Sequence, residues 1–338
     1  MIENGHLSNG GDVKRGRGLC LFSGGLDSQL AVCLLREQGV HVEAVLFTSP
    51  FFKNDAATKA AEALEVKLHT LDFTVDILAL VADPPHGFGV ALNPCIDCHA
   101  LMVRRAGELM EKLGFDFVAT GEVLNQRPMS QNRQSLGMVE KHSTLQGRLL
   151  RPLSALLLEP TIPELEGRVD RGRLLGLNGR SRKPQMELAG RYGLQDYPAP
   201  AGGCLLTESG FCRKLADLRD HEGFSGTRLV WLLRLGRHFR LPGGAKCVVG
   251  RDMRDNAELK RVAEPEDILL HTVDVPGPAV LMPGGGADED VALAAELCAT
   301  YGDSKGRQAV TVRVAGRGQD AKRAVTPRPR EAFSGWML

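Results

Sequence analysis

One short string limits most what this chain can become: Ser23-Gly24-Gly25-Leu26-Asp27-Ser28, set between an apolar strand-like run and a helical pattern. Gly18 to Phe22 reads as a buried strand; Leu30, Ala31, Leu34 and Leu35 then recur at helical spacing until Gly39. Paired glycines let the backbone bend tightly and bring its N–H groups close to an anion. The helix that begins there offers unpaired N–H groups and the positive end of its dipole. Ser23 and Ser28 carry hydroxyls suited to phosphate oxygens. Asp27 would repel bare phosphate, so it is read as a neighbour of Mg²⁺ or as a helix cap. No Lys closes the string, so it is not the G-x-x-x-x-G-K-[ST] loop. A capped Gly-rich turn is the bland alternative, but the full string at a first strand-to-helix turn favours a nucleotide.

The rest of the first half repeats the pattern. Val42 to Thr48, KLHTLDF and Asp116 to Thr120 read as strands. Ala56 to Val66 and Leu101 to Leu113 read as helices between them. Such alternation predicts an α/β fold with a doubly wound parallel sheet. After residue 220 the character changes. Leu229 to Arg240 has a helical look, LPGGAKCVVG reads as strand–turn–strand, and further strands and helices follow to AVTVRVA. We expect residues 1–17 as a flexible tail, 18–222 as the α/β domain, and 223–338 as a smaller α+β domain. The 338 residues carry 43% hydrophobic and 25% charged side chains, enough for real cores and too apolar for a disordered chain. The first eighteen residues are polar and Gly-rich without an apolar segment, and no run approaches a membrane span. A cytoplasmic protein with reduced thiols and no membrane partner is therefore expected.

Eight cysteines remain to be sorted. Asn93-Pro94-Cys95-Ile96-Asp97-Cys98 precedes a helix, where thiols tend to become more acidic and more nucleophilic. Cys204 follows Pro200-Ala201-Gly202-Gly203, in a loop open to substrate. A lone CxxC is ambiguous among zinc, redox and structural roles. Zinc needs four ligands, and no second CxxC or HxxxH supplies them. Cys20 and Cys33 read as core, as do Cys212, Cys247 and Cys298.

The SGGLDS string resembles that of the PP-loop ATP pyrophosphatases, whose fold is adenine nucleotide alpha hydrolase-like. The resemblance implies ATP and Mg²⁺ bound by Ser23, Gly24, Gly25, Asp27 and Ser28. It implies adenine recognition around Leu46 and Phe47 and a further contact at Gly121. With NPCxxC and the later GGC added, together with LLRPLSALLLEPTIPE and GRSRKPQ, residues 18–218 resemble tRNA thiouridine synthases of the 4-thiouridine synthetase and 2-thiouridylase types. That resemblance implies a sulfurtransferase that adenylates a uracil carbonyl oxygen and replaces it with sulfur. Cys204 would carry the sulfur, Cys95 would be its partner, and Asp27 would serve catalysis beside them. A persulfide carrier or sulfide would be the donor. Some relatives instead hold a [4Fe–4S] cluster through a CxxC and one distant cysteine, which here would be Cys95, Cys98 and Cys204. Both uses place Cys95 and Cys204 at the reaction centre.

A polyanionic partner needs cations, and a net charge of +1 makes their placement matter. Leu165 to Lys183 holds six basic residues against two acidic ones, among them Arg180, Arg182 and Lys183. Arg234, Arg237 and Arg240 recur three apart, as on one helix face. LPGGAKCVVGRDMRDNAELKRVAEPEDILLHTVDVPGPAVLM resembles the NFACT-R domain through Val249-Gly250-Arg251, Asn256, Asp267, His271 and Val275-Pro276-Gly277. The aromatic usual after the Asp is replaced by Ile268-Leu269-Leu270, and aromatics are 5% of the chain, which weakens base stacking. This resemblance implies tRNA as the partner, with Arg180, Arg182, Lys183, Arg234, Arg237 and Arg251 as its contacts. Two other readings stay open: a PP-loop ligase or amidotransferase adenylating a carboxylate, and a non-catalytic ATP-switched RNA-binding protein.

Overall fold

A computed structural model describes residues 15–52, 55–89, 91–198, 204–224 and 226–338. The tail expected over 1–17 lies mostly outside these residues. The chain divides into two compact units, one through Thr207 and one from Glu208 to Leu338.

The first unit runs β1 (Arg17–Leu21), α1 (Leu26–Glu37), β2 (His41–Thr48), α2 (Asp55–Ala63), β3 (Leu68–Asp72), α3 (Thr74–Ala82), α4 (Cys95–Leu113), β4 (Phe117–Ala119), α5 (Arg133–Ser143), β5 (Leu149–Leu150), α6 (Ile162–Leu165) and α7 (Lys183–Tyr192). The five strands form one sheet in the order β3-β2-β1-β4-β5, and every pairing is parallel. Strands covered by helices read as continuous apolar runs, and Leu19, Cys20, Ala44, Val45, Phe117, Val118 and Ala119 are at most 1% exposed. The chain leaves β1 toward β2 on one side and returns to β4 on the other. In such sheets ligands bind in the crevice beyond the carboxyl ends of the strands, at this switch of direction. SGGLDS follows β1 and Thr120-Gly121 follows β4, so the order alone brings both to that crevice.

The second unit holds α8 (Ser209–His221), α9 (Thr227–Leu232), β6 (Arg237–Arg240), β7 (Lys246–Val249), α10 (Met253–Arg261), β8 (Ile268–Thr272), β9 (Ala279–Met282), α11 (Asp288–Tyr301), β10 (Val310–Gly316) and β11 (Gln319–Val325). Its sheet has the order β11-β10-β8-β9-β7-β6, antiparallel throughout. Alternation splits β7 between two cores. Cys247 and Val249 pack with Val291, Ala294 and Cys298 of α11, while Val248 packs with Leu232 and Leu259.

Three expectations need revision. The helix foreseen over Leu229 to Arg240 ends at Leu232, and Arg237 to Arg240 is strand, paired with β7 from Arg237↔Val249 to Arg240↔Lys246. Gly236 breaks the pattern: its φ is +59°, and a Cβ there would lie 2.6 Å from the Val249 carbonyl oxygen. Arg234, Arg237 and Arg240 therefore do not share a helix face. Second, α4 begins at Cys95 itself, so the CxxC lies within its first turn rather than ahead of it. Third, the units part before α8, ahead of the boundary expected at 222. Asp217 of α8 accepts from Arg240 at 2.6 Å and from Lys246 at 2.7 Å, which ties the helix to the second sheet.

Candidate active site

The loop after β1 is shaped by sterics. Gly24 has φ +73°, and a Cβ on it would lie 2.6 Å from the Ala57 Cα, so both conformation and space demand glycine. Gly25 occupies the N-cap position of α1 with no side-chain cap. The Ser23 hydroxyl accepts from the Gly25 N–H at 3.3 Å, and the Ser28 hydroxyl donates to the Gly25 carbonyl at 2.9 Å. Asp27 is not the cap. Its Oδ2 accepts from the Gln126 amide at 2.7 Å, and its Oδ1 is buried with no hydrogen-bond partner. Gln29 donates to the Gly24 carbonyl at 2.9 Å and to the Asp196 carbonyl at 3.1 Å.

Gly121, expected near nucleotide, packs directly on this loop. A Cβ there would lie 2.5 Å from the Asp27 carbonyl carbon and 2.6 Å from the Ser28 nitrogen. Leu46 and Phe47 lie in β2 beyond Val45, the last residue paired with β1. Their side chains are buried, at 6% and 5% exposure, so only backbone could read a base there.

The three candidate cysteines come together. Cys95 and Cys98 are on the first turn of α4. Cys204 bridges to Phe52, and the next N–H, from Leu205, donates to the Phe51 carbonyl at 2.9 Å. Burial pushes the Cys98 thiol well up, and negative charge on Cys204, Cys95 and Asp97 pushes it further. The Cys98 thiol thus feels charge on both of the other two. Burial also raises the Cys95 thiol, with Arg127 opposing. The acidic thiols expected of a helix start are not found, because loss of water outweighs the dipole. Among the described residues no group of three or more His, Cys, Asp or Glu side chains is arranged to hold a metal ion. Cys95, Cys98 and Cys204 are neighbours without forming a finished ligand set.

Several members of the site were not foreseen. The His86 ring is 2.6 Å from Asp97 Oδ1, and its backbone N–H donates to Oδ2 at 3.0 Å. Asp97 stands between the two cysteines of the CxxC, so this contact anchors a loop beside them. Glu122, directly after Thr120-Gly121, is buried. Burial works against its charge, yet Arg151 and His99 outweigh it and hold its carboxyl at about 2. Arg151 donates to it at 2.9 Å, Thr120 at 3.0 Å, and the His99 ring lies 3.2 Å away. Gln126 and Gln185 join the loop through a chain of amides, with Gln185 donating to Gln126 Oε1 at 3.0 Å. These partners lie far apart in sequence, so no local spacing could reveal them; the only cue was Glu122 following Thr120-Gly121.

The cations expected on RNA divide. Arg180 and Lys183 are exposed, and Arg182 is half-buried. Arg234 lies over the Trp231 ring at 5.5 Å, and Arg237 over Tyr301 at 5.1 Å. Arg251 is held by Asp255 at 2.6 Å, which commits much of its guanidinium to the fold. No helix among the described residues is long and apolar enough to cross a membrane.

Residues 13–160 match the family described as thiamine biosynthesis protein (ThiI), and residues 236–337 the NFACT protein RNA binding domain. A tRNA sulfurtransferase of Desulfurococcus amylolyticus is 31% identical over 286 residues, covering 77% of this chain and 54% of that relative. A tRNA-specific 2-thiouridylase MnmA of Sulfurimonas denitrificans is 33% identical over 115 residues, covering 30% of this chain and 33% of its own. The chain thus spans about half the length of the first relative and a third of the second. A solved 4-thiouridine synthetase, in an RNA complex with bound ATP, superposes with a TM-score of 0.36 at 26% identity, over 47% of this chain and 41% of that one. Residues 13–160 are thus similar to the ThiI family and residues 236–337 to the NFACT protein RNA binding domain, two likenesses carried by one chain.

Proposed function

We propose that this chain thiolates uridine in tRNA at the expense of ATP. The observation that carries the reading is the meeting of Cys95, Cys98 and Cys204 in the same unit as a phosphate loop at the sheet's switch point.

A uracil carbonyl carbon is a poor electrophile with a poor leaving oxygen. In the first step that oxygen attacks the α-phosphorus of ATP, an O–P bond forms, and pyrophosphate leaves. The glycine-lined loop and the start of α1 hold the phosphates, and Mg²⁺ would offset charge developing on pyrophosphate. In the second step sulfur attacks the activated carbon and AMP leaves with the oxygen. The sulfur is the terminal atom of a persulfide on Cys204, received from a persulfide donor that departs as a thiol. The Cys95 thiolate then attacks the Cys204 sulfur. Thiouridine is released, a Cys95–Cys204 disulfide forms, and a dithiol reductant resets the pair. Burial of the Cys95 thiol means that this last step waits for deprotonation.

The same three thiols are of a kind to hold a [4Fe–4S] cluster, which would present sulfide at an open iron. The second unit and the exposed cations supply tRNA affinity, and the setting is cytoplasmic. Nucleoside mass spectrometry of tRNA from cells lacking the protein tests the reading. Loss of one thiouridine, restored by the parent gene and not by Cys204→Ser, supports it. An unchanged nucleoside profile overturns it. An amide-forming ligase would keep its activity in Cys204→Ser, and a switch protein would release no tRNA-dependent pyrophosphate.

A further inference from the structure

The phosphate loop contains no cation of its own: Ser23 to Ser28 holds one acidic and no basic residue. A triphosphate and a departing pyrophosphate still need positive charge. Helix α7 is fastened to this loop on both sides. At its first turn Gln185 reaches Gln126, which in turn reaches Asp27. Beyond its last turn, the Asp196 carbonyl shares the Gln29 amide with the Gly24 carbonyl. One end of α7 is therefore two hydrogen bonds from Asp27, and the chain beyond the other end is tied to Gly24.

Three polar atoms along this arrangement are buried and have no hydrogen-bond partner: Asp27 Oδ1, Gln185 Oε1 and Arg182 Nε. Gln185 is 1% exposed, so its free oxygen cannot turn to bulk water. Buried polar groups without partners are rare and mark places where something else completes the bonding. Arg182 occupies the N-cap position of α7, three residues ahead of Gln185. It makes no ion pair among the described residues, whereas Arg168 and Arg171, earlier in the same basic segment, pair with Asp116 and Glu164. The uncommitted guanidinium donor suits an anionic group, and the two uncommitted acceptors suit the cation or waters that accompany a polyphosphate.

We infer that Arg182 is the phosphate-binding cation of the site, donating its guanidinium to the pyrophosphate portion of ATP. Gln185 is a positioning residue that acts through Gln126 to orient Asp27. The inference rests on the nucleotide reading above and moves Arg182 from the RNA surface to the nucleotide.

Calorimetric titration of the full chain with inorganic pyrophosphate, ATP and adenosine tests it. In Arg182→Gln, pyrophosphate and ATP binding fall by about 10- to 100-fold, the loss of a charge-assisted hydrogen bond, while adenosine binding stays within about twofold of the parent. Retained adenosine binding also shows that the variant is folded. Arg182→Lys recovers part of the loss, because it keeps charge without the planar fork. Arg191→Gln, at the far end of α7, binds all three as the parent does. If Arg182→Gln binds pyrophosphate like the parent, the assignment of Arg182 fails and the nucleotide reading stands. If the parent itself binds neither ATP nor pyrophosphate, both fail together.

Discussion

Two clusters of charge, one in each unit, show opposite habits. In the second unit Asp217 accepts from Arg240 and Lys246, and Glu222 accepts from the Arg240 guanidinium at 2.7 Å. Burial opposes the charge on Asp217, but Arg240 and Lys246 outweigh it and hold the carboxyl at about 2. Arg240 and Lys246 are 13% and 3% exposed, and both are paired. In the first unit Asp27, Gln185 and Arg182 each keep a buried atom that nothing in the protein matches. The first arrangement closes on itself and holds helix to sheet. The second leaves atoms unmatched by the protein. Burial is common to both clusters; completeness of the bonding is what differs between them.

Breaking each cluster should give different losses. Cys204→Ser, in the same unit as the open cluster, should cut thiouridine formation at least about 1000-fold, as removal of a nucleophile does, and leave thermal unfolding unmoved. Nucleoside analysis and a melting curve on the same preparation read both. Asp217→Asn, in the closed cluster, should destabilise the second unit by about 3 kcal/mol, because buried Lys246 loses its anion and Arg240 one of its two. Denaturant unfolding should show it, with adenosine binding preserved. Loss of nucleotide binding with unchanged stability would reverse the contrast.

Glu122 sharpens the comparison within the first unit, being a buried carboxylate whose partners are complete. Its folded value of about 2 lies below the ordinary 4.5, so the unfolded chain takes up the proton first. Its contribution is fully present above pH 4.5 and drains away as pH falls toward 2. Acid unfolding of Glu122→Gln should accordingly be flatter than the parent's across that window, by a slope measured at several pH values. An identical acid profile would show that Arg151 and His99 do not hold this charge.

Much of the first unit was legible from residue order. Alternating apolar runs and helical patterns specify a parallel sheet, and the Gly24-Gly25 pair marks the turn that sterics then enforce. The family resemblance implied a contact at Gly121, and a Cβ there would meet the Asp27 and Ser28 backbone. Other features were hidden for physical reasons. Arg234, Arg237 and Arg240 share a spacing of three, which describes a helix face unless a glycine such as Gly236 ends the helix. The thiol acidity of Cys95 depends on burial by segments far along the chain, which no local motif records. Gln126, Gln185, Glu122 and Arg151 act through partners as many as 99 residues away, as Gln126 does on Asp27. Strand β11 was missed because its QDAKRAV pattern is mostly exposed and carries little apolar alternation.

The central claim is that ATP makes a uridine oxygen expendable before sulfur takes its place. Incubating the full chain with tRNA, a persulfide donor, a dithiol and ATP labelled at its α-phosphate reads this directly. The account predicts one labelled AMP for each thiouridine formed, with neither product when tRNA is omitted. Thiouridine without AMP, or AMP released at the same rate without tRNA, would contradict it.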